Sequence, residues 1–405
     1  MSIKKLPVLN DPIYGFISIE SPLIFELLKH PYFQRLRRIS QMGLSSLVYP
    51  GARHSRFEHA LGAVYLMQSV VDTLQRKGVL ISEKEKEALC VAILLHDMGH
   101  GPFSHAMEHT LFLNVHHEEI SLGFMDLLNQ EFDGQLSLAI QIYKNQYHRS
   151  FMHQLIASQL DVDRLDYLKR DSFYTGATEG NINSERLVAM LNVVDDQLVV
   201  EEKGLFSVEK FIMARRLMYW QVYLHKTGLG AELLLGKLLS YVRELILQNS
   251  AISCPKNLLF FLKSPVLDPK DPDLLHQFSQ LDDTDIYMAL KQWENAPDSI
   301  LSSFSSRILN RQLLKVKLRN EVFSGEEIEE KKNKLRNMGV LEKDLSMYVF
   351  AGTVSTTAYS VQKEPIRILT KSKEIVPLES YSSLFKTVNL TLAEEKAYLC
   401  FANSI

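Results

Sequence analysis

The chain of 405 residues has an apolar content of 46% and a formal net charge of -3 at pH 7. This length exceeds one compact core of usual size, so it predicts one large domain with an appended lobe, or two domains. The small net charge provides no basic field for a phosphate backbone, and nucleic acid is therefore not expected as the main partner.

Helix signals begin near the N-terminus. Ser21 before Pro22 is a capping residue followed by a proline in the first helical position, and this helix should end before Pro31. FQRLRRISQMG continues in a helical pattern. RFEHALGAVYLMQSVVDTLQRKG has helical periodicity and should close at Gly78.

The next helices are expected in the core. Ser82 and Glu85 form a capping box before ALCVAILL, which is apolar on all sides and predicts a helix through the core that ends at HDMGHGP. A long apolar-periodic stretch from residue 207 to 248 predicts a central helix or helix pair, with bends at Gly228 and Gly230.

The pattern changes after about residue 300. RQLLKVKLR, LSMYVFAGTVSTTAY and EPIRILT are strand-like and surround the charged helical segment EEIEEKKNKLRNM. SPVLDPKDPDLL, which has three prolines, predicts a loop before this region. We therefore expect a mainly α fold, with a helical core over residues 1–270 and a smaller α/β C-terminal lobe over residues 300–405.

Compartment signals agree with a cytoplasmic protein. Cys90, Cys254 and Cys400 are widely spaced and form no CxxC pair, which is typical of a reducing compartment. The sequence has no apolar run of about 18 residues, and MSIKKLPVLNDPIYG carries no signal-peptide pattern. We therefore expect no contact with a membrane.

Histidine is concentrated in one segment, because six of the 13 histidines lie between His96 and His117. His96-Asp97 closes the apolar helix, where a buried carboxylate needs a partner such as a divalent metal ion. His59 and Asp163 offer further nitrogen and oxygen ligands, and such a set leaves positions open for water. The alternative is a helix end with a solvated aspartate. A zincin site is excluded, because no histidine follows His117 at the HExxH spacing.

The segment LDVDRLDYLKRDSFYTG predicts a second group of polar side chains. Asp163, Tyr167, Arg170 and Asp171 lie three or four residues apart and can share one helical face. They would then line one wall of a site. A solvated face of ion pairs is the alternative interpretation.

These motifs together resemble a known family. RFEHALG, LLHDMGHGPFSH, HHEE and DVDRLDYLKRD are similar in order and spacing to those of the HD-domain deoxynucleoside triphosphate triphosphohydrolases, and NDPIYGFI, FQRLRRISQMG and RRLMYWQVYLHKTG extend the resemblance to residues 7–230. It implies an HD-domain helical core and hydrolysis of a dNTP to deoxynucleoside and triphosphate. The cofactor implied is a divalent metal ion, with Mn, Fe, Ni, Zn and Mg all left open.

The resemblance implies roles for individual residues. The implied metal ligands are His59, His96, Asp97 and Asp163. The implied acid/base residues are His100, His105, Glu108, His117 and Glu118, with Glu108 in place of an aspartate. The implied triphosphate contacts are Arg56, Arg164, Tyr167 and Arg215, with Arg164 in place of a lysine. The implied sugar pocket is Gln41, Met42, Asp171 and Tyr223, with Met42 in place of a leucine.

The resemblance also bears on regulation and assembly. Lys29 stands where the family uses an aspartate to read an activating guanine, while Arg37 and Asn10 are retained. Activation by GTP is therefore not expected, and activation by another nucleotide, or by none, stays open. Relatives assemble through helices beside the active site, so we expect a homo-oligomer, most simply a dimer.

Two other functions are compatible with the sequence. One is an HD phosphatase or phosphodiesterase that acts on another nucleotide or phosphoester, because the metal chemistry is common to the class. The other is a non-catalytic HD protein that senses nucleotides or nucleic acid, although intact metal ligands argue against it.

Overall fold

Helices form most of the computed structural model, which describes residues 7–107, 110, 115–264, 267–360, 363–388 and 390–403. The α-helices are α1 Pro22–Lys29, α2 Pro31–Gln34, α3 Arg56–Arg76, α4 Glu83–Leu95, α5 Ser104–Met107, α6 His117–Glu131, α7 Ser137–Tyr143, α8 Ser150–Ile156, α9 Val162–Thr175, α10 Ser184–Met190, α11 Leu205–Met218, α12 Lys226–Leu247, α13 Lys256–Lys263, α14 Pro272–Ser279, α15 Asp283–Trp293, α16 Ser299–Leu309, α17 Gly325–Asn337, α18 Leu345–Tyr348, α19 Leu378–Tyr381 and α20 Ser383–Thr387. The 3₁₀ turns are Arg35–Arg38, Gly43–Leu47, Thr178–Gly180, Glu202–Gly204 and Glu342–Asp344, and Tyr219–Tyr223 is a π-helical segment. The predicted mainly α fold is confirmed.

Short strands form small sheets at the margins of the helices. The strands are β1 Val8–Asp11, β2 Gly15–Ser18, β3 Leu191–Val194, β4 Gln197–Glu201, β5 Lys315–Arg319, β6 Val349–Thr356, β7 Arg367–Leu369, β8 Ile375–Pro377 and β9 Glu394–Phe401. The hairpin β1-β2 stands alone, and β5-β9-β6 form an antiparallel sheet. In the third sheet, β3-β4-β7-β8, strands β4 and β7 are parallel. The smaller α/β lobe is therefore present, and its strands β7 and β8 complete a sheet begun by β3 and β4.

The predicted helix ends agree with the structure. Ser21 caps α1 by accepting a hydrogen bond from the Ile24 backbone N–H at 3.3 Å, and α1 ends at Lys29. The capping box of Ser82 and Glu85 starts α4, whose residues Ala88–Leu95 are buried. The division of the chain into residues 1–270 and 300–405 stays a prediction.

Two local predictions were wrong. Gly228 and Gly230 lie inside α12, and the chain turns before them, between the π-helical segment and α12. A Cβ atom on Gly230 would lie 2.6 Å from Val316 Cγ2, so this glycine permits close packing of β5 rather than a bend. The proline-rich loop is shorter than predicted, because Asp271 caps α14 and Pro272 is its first residue.

Helices α3, α4 and α9 form the part of the core that carries the predicted ligands. Where α3 crosses α9, a Cβ atom on Gly62 would lie 2.0 Å from Asp166 Oδ1 and 2.2 Å from Arg170 Nη2. Arg170 donates to Asp166 from Nε at 2.9 Å and from Nη2 at 3.1 Å, and to Asp11 from Nη1 at 2.8 Å. These three charged side chains are buried. The close approach of α3 therefore depends on glycine at position 62.

We predict that Gly62→Ala lowers the free energy of unfolding by about 2–4 kcal/mol, because the added methyl group must displace a buried ion pair. Chemical denaturation would measure the change. Gly325→Ala is the matched control, since a Cβ atom there meets nothing within 4 Å. Equal stability of Gly62→Ala and the wild type would contradict this account of the helix crossing.

Candidate functional site

Side chains from α3, α9 and the end of α4 meet in a cluster that could hold a metal ion. One ligand atom from each of His59, His96 and Asp163 lies within 4.8 Å of the other two. Asp97 is the next neighbour, with Oδ1 3.2 Å from His96 Nε2 and Oδ2 3.7 Å from His59 Nε2. The structure thus brings together the four side chains that the sequence predicted as ligands.

The two histidines present the same ring nitrogen to the cluster. Asp166 accepts a hydrogen bond from His59 Nδ1 at 2.8 Å, and the Ile93 carbonyl accepts one from His96 Nδ1 at 2.6 Å. Each contact fixes the proton on Nδ1 and leaves Nε2 for the cluster. A carboxylate or carbonyl behind an imidazole ligand is the usual way to orient it.

Two ring nitrogens of the cluster lack a hydrogen-bond partner among the described residues. The Nε2 atoms of His59 and His96 are buried and make no hydrogen bond to any described residue, although Asp163 Oδ1 is 3.2 Å and 3.5 Å away. Burial opposes a charge on His59, yet the carboxylates of Asp163 and Asp166 beside its two ring nitrogens raise its pKa to about 10. An electrostatic field that favours a proton on His59 also favours a metal cation beside it. The donor set therefore fits a divalent metal ion.

The turn that carries Asp97 is held by α6. Ser121 Oγ donates to the His96 carbonyl at 2.6 Å and accepts from the Gly99 backbone N–H at 2.8 Å. A Cβ atom on Gly99 would lie 2.0 Å from the His117 carbonyl oxygen, so the start of α6 packs directly on this turn. As a consequence, the His100 and His117 rings stack, with centroids 3.8 Å apart.

A cavity of about 360 Å³ opens beside the cluster. This volume is within the usual range for a small-molecule site. The lining residues are Gln41, Met42, Ser45, Arg56, Asp97, His100, His117, Glu118, Asp163, Arg164, Tyr167, Asp171, Tyr219, Tyr223 and Glu232. Most of the predicted site residues therefore border one space.

The acid/base candidates lie at one side of this cavity. His100 Nε2 is 3.3 Å from Asp97 Oδ1, and burial together with repulsion from Arg56 lowers the pKa of His100 to about 3. His117 Nε2 lies 3.5 Å from Glu118 Oε1. Glu108 and the side chain of His105 lie outside the part of the chain that the structure describes.

Three arginines near the cavity have an unsatisfied donor. The Nε atoms of Arg56, Arg164 and Arg215 are buried and make no hydrogen bond within the described structure. Arg56 also donates from Nη1 to Asp97 Oδ2 at 2.5 Å, and Arg164 pairs with Asp161. Arg215 does not line the cavity itself, and its guanidinium lies 5.7 Å from the ring centroid of Tyr219, which does. Unpaired guanidinium donors in a buried setting fit an anionic ligand.

The predicted sugar residues form a hydrogen-bonded group. Asp171 Oδ2 accepts from the Tyr223 hydroxyl at 2.7 Å, and Asp171 Oδ1 lies 2.7 Å from His54 Nε2. Tyr167 and Tyr223 make an edge contact, with centroids 6.2 Å apart. Gln41 and Met42 border the same cavity, and Gln41 Oε1 is buried without a hydrogen-bond partner among the described residues.

The predicted regulatory residues are not among the residues that line this cavity. Lys29 forms an ion pair with Glu26 on α1. The Arg37 guanidinium stacks 3.5 Å from the ring centroid of Phe57, and Asn10 belongs to β1.

Sequence reasoning missed several residues of the site. Asp166 orients His59, His54 contacts Asp171, and Tyr219 and Glu232 line the cavity. Arg170 was expected on the wall, but its guanidinium is buried between Asp11 and Asp166. The spacing of Asp166 and Arg170, four residues apart on α9, was the available signal for that pair.

The chain matches two family models and is similar to proteins from several organisms. Residues 56–171 match the HD domain, and residues 182–250 match the HD associated region. The chain is 30% identical to the uncharacterized protein YwfO of Bacillus subtilis, over 94% of this chain and 89% of that protein. It is also 30% identical to the deoxynucleoside triphosphate triphosphohydrolase SAMHD1 homolog of Dictyostelium discoideum, over 67% of this chain but only 57% of that protein.

A solved structure is similar along almost the whole chain. The crystal structure of a phosphohydrolase from Bacteroides thetaiotaomicron has 45% sequence identity and a TM-score of 0.94, over 98% of this chain and 100% of that chain. Among the described residues, no helix is both long and apolar enough to cross a membrane.

We predict that Asp166→Asn weakens metal binding by about 10- to 100-fold, because the amide cannot hold His59 in the required tautomer as the carboxylate does. Titration of metal-free protein with a divalent metal ion would measure the affinity. Asp11→Asn is the control, since it also removes a charge partner of Arg170 but does not touch His59. The account fails if both variants bind metal equally well.

Proposed function

Because the chain belongs to the HD-domain phosphohydrolase family, we propose that it hydrolyses deoxynucleoside triphosphates to deoxynucleoside and triphosphate. The observation that carries this proposal is the cavity itself, which joins a His/Asp cluster, arginines with unsatisfied buried donors and an Asp–Tyr pair. The relative from Dictyostelium discoideum is named for this activity.

In the proposed reaction, a water oxygen attacks the α-phosphorus and the bond from that phosphorus to the 5'-oxygen breaks. His59, His96, Asp97 and Asp163 would hold a divalent ion, which polarises a phosphoryl oxygen and lowers the pKa of water. Arg56 and Arg164 would bind the triphosphate, and Arg215 would support this set beside Tyr219. Charge-assisted hydrogen bonds from guanidinium groups to phosphate are strong and orient the group.

The proton lost by the water and the proton gained by the leaving 5'-oxygen require acid/base groups. We assign the relay to His100, His117 and Glu118, because His100 stacks on His117 and contacts Asp97. His105 is the proposed donor to the leaving oxygen, with Glu108 as its partner in the relay.

The Asp171–Tyr223 pair supports a deoxyribose pocket. A carboxylate held by a phenol keeps a lone pair that can accept a hydrogen bond from a 3'-hydroxyl. Met42 and the tyrosine rings give the apolar surface on which the 2'-methylene would pack. An additional 2'-hydroxyl would lose hydration there without gaining a partner.

Other features of the proposal rest on the sequence. We propose a homo-oligomer and a cytoplasmic location, and we leave open a nucleotide activator and the metal's identity. A phosphatase or phosphodiesterase acting on another phosphoester is the alternative, and the reaction products separate it from the main proposal.

We predict that His96→Ala and Asp97→Ala lose bound metal and at least 100-fold of dNTP turnover while helical circular dichroism is retained, because each removes a ligand from a site built between separate helices. His148→Ala, at an exposed position, is the matched control. Intact triphosphate should appear as product with wild-type protein. Orthophosphate or a nucleoside monophosphate would instead favour the alternative, and full activity in a ligand variant would refute the metal site.

We predict that the wild type discriminates against ribonucleotides by roughly tenfold to a few hundredfold in kcat/KM, which corresponds to about 1–3 kcal/mol. Asp171→Ala should weaken dNTP turnover and leave metal affinity unchanged. Asp171→Asn is the conservative partner, since it retains the size of the side chain next to His54 and Tyr223. Equal turnover of ATP and dATP by the wild type would remove the sugar pocket from the proposal.

A further inference from the structure

Glu232 is a carboxylic acid in the cavity to which neither the sequence motifs nor the proposed reaction gives a role. It lies on the second turn of α12, is half-buried and lines the cavity. A Cβ atom on Gly43 would lie 3.4 Å from Glu232 Oε1, so the carboxyl group rests against the Gln41–Gly43 segment. Within the described residues it has no hydrogen bond or ion pair. This differs from Asp97 and Asp171, which both have partners.

The surroundings of Glu232 favour its neutral form. Burial raises the pKa of Glu232 to about 8, and no charged side chain contributes to that shift. Burial therefore favours the protonated carboxyl group near neutral pH. A protonated carboxyl presents one O–H donor and one carbonyl acceptor.

The position of Glu232 relative to the proposed ligand determines what it can contact. If the triphosphate lies at the metal cluster and the sugar lies between Met42 and Asp171, the Gln41–Gly43 segment borders the sugar and the part of the nucleotide beyond it. That part is the base. Gln41 Oε1 is a second buried acceptor without a partner on the same segment.

On the basis of the proposed function, we propose that Glu232 binds the hydrogen-bonding edge of the nucleobase and lets the site accept all four dNTPs. Every base carries an adjacent donor and acceptor: N6–H and N1 in adenine, N4–H and N3 in cytosine, N1–H and O6 in guanine, and N3–H and O4 in thymine. A neutral carboxyl group can match each of these pairs. An ionised carboxylate has acceptors only and would match the two N–H groups of guanine alone.

The test compares wild type, Glu232→Leu, Glu232→Gln and the control Glu244→Gln, which alters an exposed glutamate on the same helix. The first measurement is kcat/KM for dATP, dCTP, dGTP and dTTP. The second is the calorimetric Kd of the same nucleotides, measured in proteins that also carry the metal-ligand substitution Asp97→Ala. The third is inhibition by tripolyphosphate. Circular dichroism and thermal melting check the fold. Glu232→Ala replaces the leucine variant if the latter folds poorly.

We expect wild-type constants for the four dNTPs within about tenfold of one another. Glu232→Leu should weaken all four by about three- to tenfold, as loss of a hydrogen bond to the base predicts, and leave tripolyphosphate inhibition unchanged. Glu232→Gln should lose less, because its amide retains a donor and an acceptor. Glu244→Gln should behave as the wild type.

Three results would overturn the inference: unchanged dNTP constants in Glu232→Leu, equal weakening toward tripolyphosphate, or a wild-type preference for one base above a hundredfold. Failure of the proposed function looks different. If the wild type binds dNTPs but hydrolyses none, the reaction is refuted, and the calorimetric comparison still decides the role of Glu232. If the wild type binds no nucleotide, both proposals are refuted.

Discussion

The ion pair between Asp166 and Arg170 determines where the metal-binding face of α3 lies. Arg170 contacts Asp11 on the N-terminal hairpin, and Asp166 contacts both Arg170 and His59. Along the buried series Asp11, Arg170, Asp166 and His59, acidic and basic side chains alternate, so each charged group has an adjacent partner. Breaking such a series leaves an uncompensated buried charge, whereas retaining it fixes one arrangement of helices and of the His59 ring. The absence of a side chain at Gly62 is the steric condition for this contact.

A second fixed contact joins the other half of the site. Ser121 on α6 holds the turn after α4 from both sides of Asp97, and α6 carries His117 against His100. The groups proposed to bind the metal and to transfer protons are therefore not on independent loops. A change in the position of α6 would alter both the metal-binding groups and the proton-transfer groups. Glycine is required at position 99 because a Cβ atom there would collide with the start of α6.

The sequence predicted those parts of the structure that depend on local chemistry. Helix starts at Ser21 and Ser82 follow from side chains that cap their own backbone, and the ligand set follows from histidine density and the family resemblance. The hairpin β3-β4, whose strands are four and five residues long, was not predicted. Its signal was the Asp195-Asp196 pair, which adopts φ values of 49° and 54° at the turn.

Predictions that required knowledge of neighbouring helices were less successful. Helical spacing places Arg170 close to the face of Asp163 and Tyr167, but cannot tell whether a cavity or another helix covers that part of the face. In the structure α3 covers it, with Gly62 against the guanidinium. Glu232 illustrates the same limit, because its burial arises where α12 meets the turn at Gly43, almost 190 residues away in sequence.

The distribution of charge in the cavity has a consequence for how a nucleotide would be oriented. Arg56 and Arg164 line the cavity together with the carboxylates of Asp97 and Asp163, whereas burial raises the pKa of Glu232 and favours its neutral form. A dNTP has the same asymmetry, since its charge is confined to the triphosphate and its base is neutral. Electrostatic attraction would therefore place the triphosphate at the cluster before any hydrogen bond to the base forms. The proposed hydrogen bond between Glu232 and the base would then involve no charged group. It would add affinity without selecting one nucleotide.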